Sequence, residues 1–108
     1  MNLEEIKNKL EKEIEELRLI LKDYEEEVKE VLKEPVSTSD EMADRYEYKE
    51  EIHLKKDILE ERIKKIEKAL KKISEGSYGF CEKCGQKIEE IRLKIDPASE
   101  LCRKCAVK

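Results

Sequence analysis

Four cysteines near the end of the chain are spaced as ligands of a metal ion would be. Cys81, Cys84, Cys102 and Cys105 form the pattern C-x2-C-x17-C-x2-C. Two residues within each pair let both sulfurs face one ion, and this spacing is typical of tetrahedral zinc sites. Gly85 directly follows the first pair and lets backbone amides turn toward the sulfurs. We therefore predict one structural Zn²⁺ held by four thiolates, with two disulfides or four free thiols as the alternatives.

The rest of the sequence offers no catalytic constellation. His53 is the single histidine, and on a highly charged helix we expect it at the surface. No nucleophile has a histidine base, and no glycine-rich phosphate loop is present. Four sulfur ligands leave no open position on the zinc for water. We therefore expect that the protein is not an enzyme.

The composition limits the classes of protein that the chain can belong to. Charged residues make up 48% of the 108 residues, and hydrophobic residues only 38%. The 24 Lys and Arg against 28 Asp and Glu give a net charge of −4, which disfavours general coating of nucleic acids. No apolar run is long enough for a membrane span, and the N-terminus lacks a signal-peptide stretch. We therefore expect no membrane association and a cytoplasmic location, where cysteines stay reduced.

Two amphipathic segments precede the cysteines and must position them. The first has apolar residues at Leu3, Leu10, Leu17, Tyr24 and Val31, with Ile14, Leu21 and Val28 on companion positions. The second has Ile52, Leu59, Ile66 and Ile73, with Ile63 and Leu70 on companion positions. Repeats of seven residues are typical of coiled coils, because each helix buries its apolar stripe against a partner.

Helix-ending signals separate these two segments. Pro35 disfavours helix at the residue before it, and Thr38 with Glu41 fits a capping box that starts the second helix. Gly76 ends the second helix. Two helices of similar length joined by a short turn are expected to pack antiparallel. Seven acids lie between positions 34 and 51 and only two cations, so the tip of this hairpin is strongly acidic.

The sequence therefore predicts a mostly α protein, an antiparallel two-helix coiled-coil hairpin followed by a small C4 zinc finger with short β elements. The hairpin covers residues 1–76, with helix 1 at about 2–33, a tip at 34–44 and helix 2 at about 39–75. The finger covers residues 77–108. Rough alternation of apolar residues from Ile88 to Ile95 indicates short strands within it.

The finger sequence resembles the C4 zinc finger of the DksA/TraR family. Residues 76–88 read GSYGFCEKCGQKI, and Arg92-Leu93, Pro97-Ala98 and the last cysteine pair follow. In that family a G-x-Y-G-x-C-x-x-C-G-x-x-I segment precedes R-L, a turn similar to P-x-A and the last cysteine pair. The match covers the whole finger, and the preceding coiled-coil hairpin matches in kind.

The resemblance implies a regulator of transcription that binds bacterial RNA polymerase without binding promoter DNA. Family members insert the coiled-coil tip into the secondary channel of the polymerase, often together with the alarmone ppGpp. An Asp-x-x-Asp-x-Ala pattern at the tip is needed for the effect. Asp44-Arg45 resembles its second Asp and the residue after it, which places Glu41 at the first Asp and Tyr46 at the Ala. Asp40 lies beside this set and supports it.

Two other classes of function remain open from the sequence. One is a structural or adaptor zinc protein that self-associates through its coiled coil, whereas we expect a monomer or weak homo-oligomer. The other is a nucleic-acid-binding zinc ribbon, which would bind DNA or RNA with a steep salt dependence. The net charge of −4 makes the second of these the least favoured.

Overall fold

Two long helices form an antiparallel hairpin, and the C-terminal finger packs against one end of it. The computed structural model describes residues 2–107, and in this range it contains α1 at Leu3–Lys33, α2 at Ser39–Glu75, α3 at Glu90–Ile95 and α4 at Arg103–Ala106. The molecule measures 58 × 30 × 20 Å, so it is an elongated rod. The predicted fold class is confirmed. None of the helices within residues 2–107 is long and apolar enough to cross a membrane.

Local capping explains where the two long helices begin and end. The Asn2 side chain accepts hydrogen bonds from the amides of Glu4 and Glu5, which starts α1. Thr38 Oγ1 accepts from the amide of Glu41 at 3.2 Å, which starts α2. At the other end of α2, Gly76 has φ of 79°, a left-handed conformation that a residue without a Cβ adopts readily.

The apolar stripes of α1 and α2 meet in a seam, which is the core of the rod. The residues of this seam differ in burial. Near the finger, Leu10 is 1% exposed and Ile66 is 0% exposed. Farther toward the tip, seam residues such as Leu21 and Val28 are only half-buried. The difference arises because two helices alone leave the sides of their shared stripe open to water.

The finger closes the open side of the rod near its base. Ala98 is 1% exposed and joins the core cluster that contains Leu10, Ile66 and Ala69. Tyr78 packs against this cluster and also against the small core of the finger, and its hydroxyl donates to the Pro97 carbonyl at 2.7 Å. The hairpin and the finger therefore share one continuous apolar interior.

Ion pairs fix the finger in this position. The Arg62 side chain of α2 lies 2.7 Å from Glu13 of α1 and 2.9 Å from Asp96 of the finger, measured between nitrogen and oxygen atoms. On another side, Lys72 lies 2.9 Å from Glu82 of the finger. Arg62 thus ties both helices and the finger together at one point.

The prediction of short strands from Ile88 to Ile95 is wrong for most of that stretch. Residues Glu90–Ile95 form helix α3, and the finger has an isolated antiparallel bridge between Phe80 and Lys87. A strand would place Ile91, Leu93 and Ile95 on one buried face. In the helix, Leu93 is 2% exposed while Ile91 and Ile95 lie four residues apart on an exposed face.

Candidate metal centre and hairpin tip

The finger brings the four predicted cysteines to one place. Their sulfur atoms all lie within 4.8 Å of one another, and Cys84 Sγ lies 3.6 Å from Cys102 Sγ. A tetrahedral zinc with Zn–S bonds of about 2.3 Å separates its sulfurs by roughly 3.8 Å. All four cysteines are free of disulfide bonds. The donor set therefore fits a single tetrahedral Zn²⁺.

The electrostatics of the four thiols favour a bound cation. The backbone amides of Cys102 and Cys84 lower the pKa of the Cys81 thiol to about 6. Hydrogen bonds with the neighbouring cysteines raise the pKa of Cys105 to about 12. Without a cation the four groups cannot all be ionised at this distance, whereas Zn²⁺ stabilises all four as thiolates.

Short backbone contacts shape the two cysteine turns. The amide of Gly85 donates to the Cys81 carbonyl at 3.0 Å, and Gly85 has φ of 75°. The Cys81 amide donates to the Gln86 carbonyl at 2.7 Å. Ahead of α4, a carboxylate oxygen of Glu89 accepts from the amide of Arg103 at 2.9 Å, and this contact lowers the Glu89 pKa. These contacts hold the pairs in the geometry that a metal requires.

The apolar part of the finger is too small to be an independent core. Ile88 and Leu93 are buried together with the two cysteines Cys81 and Cys102, and Tyr78 and Leu101 pack around them. A segment of about 30 residues with so few apolar residues needs a metal to fold stably. Zinc is therefore a structural component of this segment.

The other candidate site is the tip of the hairpin, at the end of the rod far from the finger. Asp40 and Asp44 lie one turn apart at the start of α2, and both side chains are exposed. Within residues 2–107, neither carboxylate forms a hydrogen bond or an ion pair. Acids in this position are also favoured by the N-terminal end of the helix dipole. Both are therefore available to a partner.

Glu41 and Arg45 at the same tip already have structural partners. The Glu41 carboxylate accepts from the amide and the hydroxyl of Ser37, both at 3.0 Å. These contacts lower the pKa of Glu41. In a standard capping box the carboxylate would reach the amide of Thr38, so the contact is shifted by one residue. Arg45 donates to the Glu34 carbonyl at the end of α1.

The aromatic residues of the tip differ in exposure. Tyr46 is 68% exposed, and Met42, four residues before it, is 53% exposed. Tyr48 is half-buried, and the Glu27 carboxylate beside its hydroxyl raises the pKa of Tyr48 to about 12. Tyr46 and Met42 therefore form an apolar face of the tip, whereas the buried hydroxyl of Tyr48 has no hydrogen-bond partner within residues 2–107.

Sequence reasoning did not find the residues that dock the finger onto the rod. Ala98 and Arg62 are the clearest examples, because one is small and the other is charged. The Pro97-Ala98 pair belongs to the motif of the finger, but no feature of the neighbouring sequence indicates that Ala98 enters the core of the hairpin. Only the contact with α1 and α2 reveals that role.

Comparison with known proteins agrees with the geometry of the finger. Residues 76–108 match the family described as prokaryotic dksA/traR C4-type zinc finger. This segment is a DksA/TraR-type zinc finger. The predicted resemblance is thereby confirmed, and so is the predicted cofactor, one structural Zn²⁺.

Two curated relatives show how far the similarity extends. The RNA polymerase-binding transcription factor DksA of Escherichia coli (strain K12) is 49% identical over 43 residues, which are 40% of this chain and 28% of that protein. The protein of the same name from Haemophilus influenzae is 34% identical over 77 residues, 68% of this chain and 53% of that protein. The alignments thus span about half or less of each relative.

A solved structure shares the fold of nearly the whole chain. Transcription factor DksA2 from Pseudomonas aeruginosa superposes with a TM-score of 0.85 at 23% sequence identity, and the match covers 97% of this chain and 80% of that one. The hairpin and the finger therefore have the DksA2 arrangement.

Proposed function

We propose that this protein is a DksA/TraR-type regulator that binds RNA polymerase and acts through the acidic tip of its hairpin in the secondary channel. Relatives of the finger and of part of the rod are RNA polymerase-binding transcription factors. The proposal extends that partner to this chain. The protein would act in the cytoplasm, by protein contact rather than by recognition of promoter DNA.

The observation that carries the proposal is the pair of exposed carboxylates at the narrow end of the rod. Asp40 and Asp44 lie at the end of a hairpin that belongs to a molecule only 20 Å across in its shortest dimension. The finger packs at the opposite end. A hairpin of two helices, each about 10 Å across, can enter a channel that would exclude a globular domain. The shape therefore suits a tip that acts at a recessed site.

The chemistry of the tip suits a catalytic centre that contains magnesium. Carboxylates can meet basic side chains or the water ligands of Mg²⁺, an ion that prefers oxygen ligands. Because Glu41 is held by Ser37, Asp40 and Asp44 are the more available groups. A role of ppGpp at the complex stays a prediction.

Transcription in vitro with purified RNA polymerase tests the proposal. We expect the wild-type protein to co-purify with the polymerase and to change initiation. Asp44→Asn should need at least about tenfold more protein for the same effect, because a hydrogen bond to a charged group contributes roughly 1.5–3 kcal/mol. Asp57→Asn is the matched control, since it changes an acid of α2 that is 56% exposed and lies far from the tip.

Two results would contradict different parts of the proposal. If the wild-type protein fails to bind RNA polymerase, the partner is wrong. If it binds and the double variant Asp40→Asn with Asp44→Asn regulates as well as Asp57→Asn does, the tip mechanism is wrong while the partner stands.

A further inference from the structure

A groove lies at the base of the rod between α1 and the finger, apart from the zinc centre and the tip. Its volume is about 570 Å³. Ile6 of α1 contributes to its apolar lining together with Leu93 and Pro97 of the finger. The lining residues of α1 cover about three helical turns from its start. The groove is therefore long enough for the end of a helix to lie in it.

The lysines around this groove make it cationic. Lys9 and Lys12 of α1 and Lys94 of the finger belong to its lining. Glu5 belongs to the lining too, so three cations face one acid. Within residues 2–107, none of the three lysines forms an ion pair. The groove therefore fits a partner that carries both acidic and apolar side chains.

The exposed surface of α1 continues from the groove toward the tip. Residues three or four positions apart lie on the same side of a helix. Steps of this size lead from Lys12 to Glu16, Leu19, Asp23, Glu27 and Glu30. Leu19 is 63% exposed, and Ile20 beside it is 39% exposed. This surface, the outer face of α1, thus has lysines at the groove, apolar side chains at its middle and acids toward the tip.

A second copy of the chain fits the outer face of α1 when it lies antiparallel to the first. Leu19 of one copy then packs against Ile20 of the other, at the middle of the contact. Lys12 and Glu27 lie seven residues from this central pair in opposite directions, so they meet across the interface. Two-fold symmetry repeats both contacts.

The same arrangement places the acidic half of α1 in the groove of the other copy. Lys9 and Glu30 each lie ten residues from the central pair, so they meet where the finger adds Lys94. A parallel arrangement would instead bring like charges together. A nucleic acid would be repelled by the acidic half of the face. The order of charges therefore favours an antiparallel second copy as the occupant.

Like charges within this interface limit its strength. Glu16 and Asp23 each lie three residues from the central pair, so the carboxylates of the two copies face each other. Such pairs are destabilising. We therefore expect a dimer that forms only at high protein concentration.

We propose that two copies of this protein form a weak antiparallel dimer through the outer face of α1, with the acidic half of each helix in the groove of the other copy. The inference does not depend on the proposed function, because it takes no other protein as partner. It gives a role to the groove and to the exposed side chains of Leu19 and Ile20.

Cross-linking with a carbodiimide tests the arrangement directly, because this reagent joins a lysine amine to a carboxylate in contact with it. In one chain, Lys9 and Glu30 are about 32 Å apart along α1, so a bond between them forms only between two copies. We expect mass spectrometry of the cross-linked dimer to identify the pairs Lys9–Glu30 and Lys12–Glu27. A mixture of isotopically labelled and unlabelled protein should show that each pair joins separate chains.

Sedimentation equilibrium of charge variants measures the strength of the dimer. The double variant Lys9→Glu with Lys12→Glu should raise the dissociation constant about tenfold or more, because attractive pairs become like-charge pairs. Asp23→Lys should lower the dissociation constant about threefold, because a cation at this position would meet Glu16 of the other copy. Circular dichroism should show unchanged helix content, since all three substituted side chains are exposed.

Lys64→Glu with Lys71→Glu is the matched control. Both lysines are exposed and lie on α2, away from the outer face of α1. This double variant changes the net charge as much as Lys9→Glu with Lys12→Glu does, so it reports general repulsion between acidic proteins. We expect its dissociation constant to stay within about twofold of the wild type.

Three results would overturn the inference. The first is a wild-type protein that stays monomeric at every concentration. The second is a cross-linked dimer that contains neither predicted pair. The third is an equal loss of affinity in the two double lysine variants, because net charge rather than the outer face would then control association. None of these results concerns RNA polymerase, so the proposed function is tested separately.

Discussion

The base and the tip of the hairpin are built from the same repeating pattern but reach different degrees of burial. At the base, Leu10 is 1% exposed and Ile66 is 0% exposed. Toward the tip, the seam residues Leu21 and Val28 are half-buried, although Ile52 of α2 is 5% exposed. The finger covers the seam at the base and not at the tip. A two-helix rod therefore becomes a three-layer structure only where another part of the chain completes it.

The base of the rod therefore carries most of the stabilising contacts, and the tip carries the side chains that are accessible to a partner. The base is held by core packing, by the Arg62 ion pairs and by the zinc centre. The tip is held by local contacts such as those of Glu41 with Ser37, which are exposed to water. Because the tip does not depend on a thick core, it can be narrow and can keep its aspartates and apolar side chains accessible.

Loss of the metal should have the largest effect on the difference in burial between the base and the tip. In Cys81→Ser we expect loss of bound zinc and unfolding of the finger, because structural zinc contributes roughly 10–16 kcal/mol to small zinc-finger peptides. Leu10 and Ile66 should then become exposed, so the base would resemble the tip. Zinc content by atomic emission and binding of an apolar dye measure the two effects.

Ser99→Ala is the control for that variant, because it changes a residue of the finger that is not a cysteine. It should keep a full complement of zinc and bind no dye. A Cys81→Ser protein that retains a full complement of zinc would show that the four sulfurs do not act together as ligands.

Truncation of two leucines on the same helix should have unequal effects on stability at the base and toward the tip. Leu10→Ala, at the base, should lower the free energy of unfolding by about 3 kcal/mol, as expected for a fully buried leucine. Leu21→Ala, toward the tip, should cost only about 1 kcal/mol because its side chain is half-buried. Urea denaturation of the two variants measures both values. Equal losses would contradict the idea that the finger forms a third layer.

Acid should loosen the tip, and this is the smallest of the expected effects. The amide and hydroxyl of Ser37 lower the pKa of Glu41 below its ordinary value of 4.5 in the folded protein. The contact therefore contributes stability above the pKa of the unfolded state and loses it as the pH falls through the lowered value. The protection factor of an amide is its intrinsic exchange rate at a given pH divided by its measured rate. We expect the protection factor of the Ser37 amide to fall as the pH falls through this range, while the protection factors of amides at the base stay constant.

Glu41→Gln isolates this effect, since the amide cannot ionise. Hydrogen exchange measured by NMR should show a smaller acid-dependent change at Ser37 in the variant than in the wild type. An identical pH dependence in both proteins would mean that other carboxylates control the tip.

The finger shows the limit of prediction from the sequence most clearly. The cysteine spacing alone indicates the zinc site, because ligand pairs are set by local turns. The apolar alternation from Ile88 to Ile95 indicated strands, yet residues Glu90–Ile95 are helical. In so short a segment the strand period of two residues and the helix period of 3.6 residues cannot be told apart. Burial of Leu93 beside Cys81 and Cys102 selects the helix.

The two helices, their turn, the helix end at Gly76 and the four-sulfur site could be predicted from the sequence, because each depends on residues close together in the chain. Only long-range packing shows that Ala98 completes the hairpin core and that Arg62 joins three elements. These features depend on residues far apart in the sequence, where no local period or spacing carries the information. Packing against the finger therefore gives the coiled-coil pattern a more completely buried base than the half toward the tip.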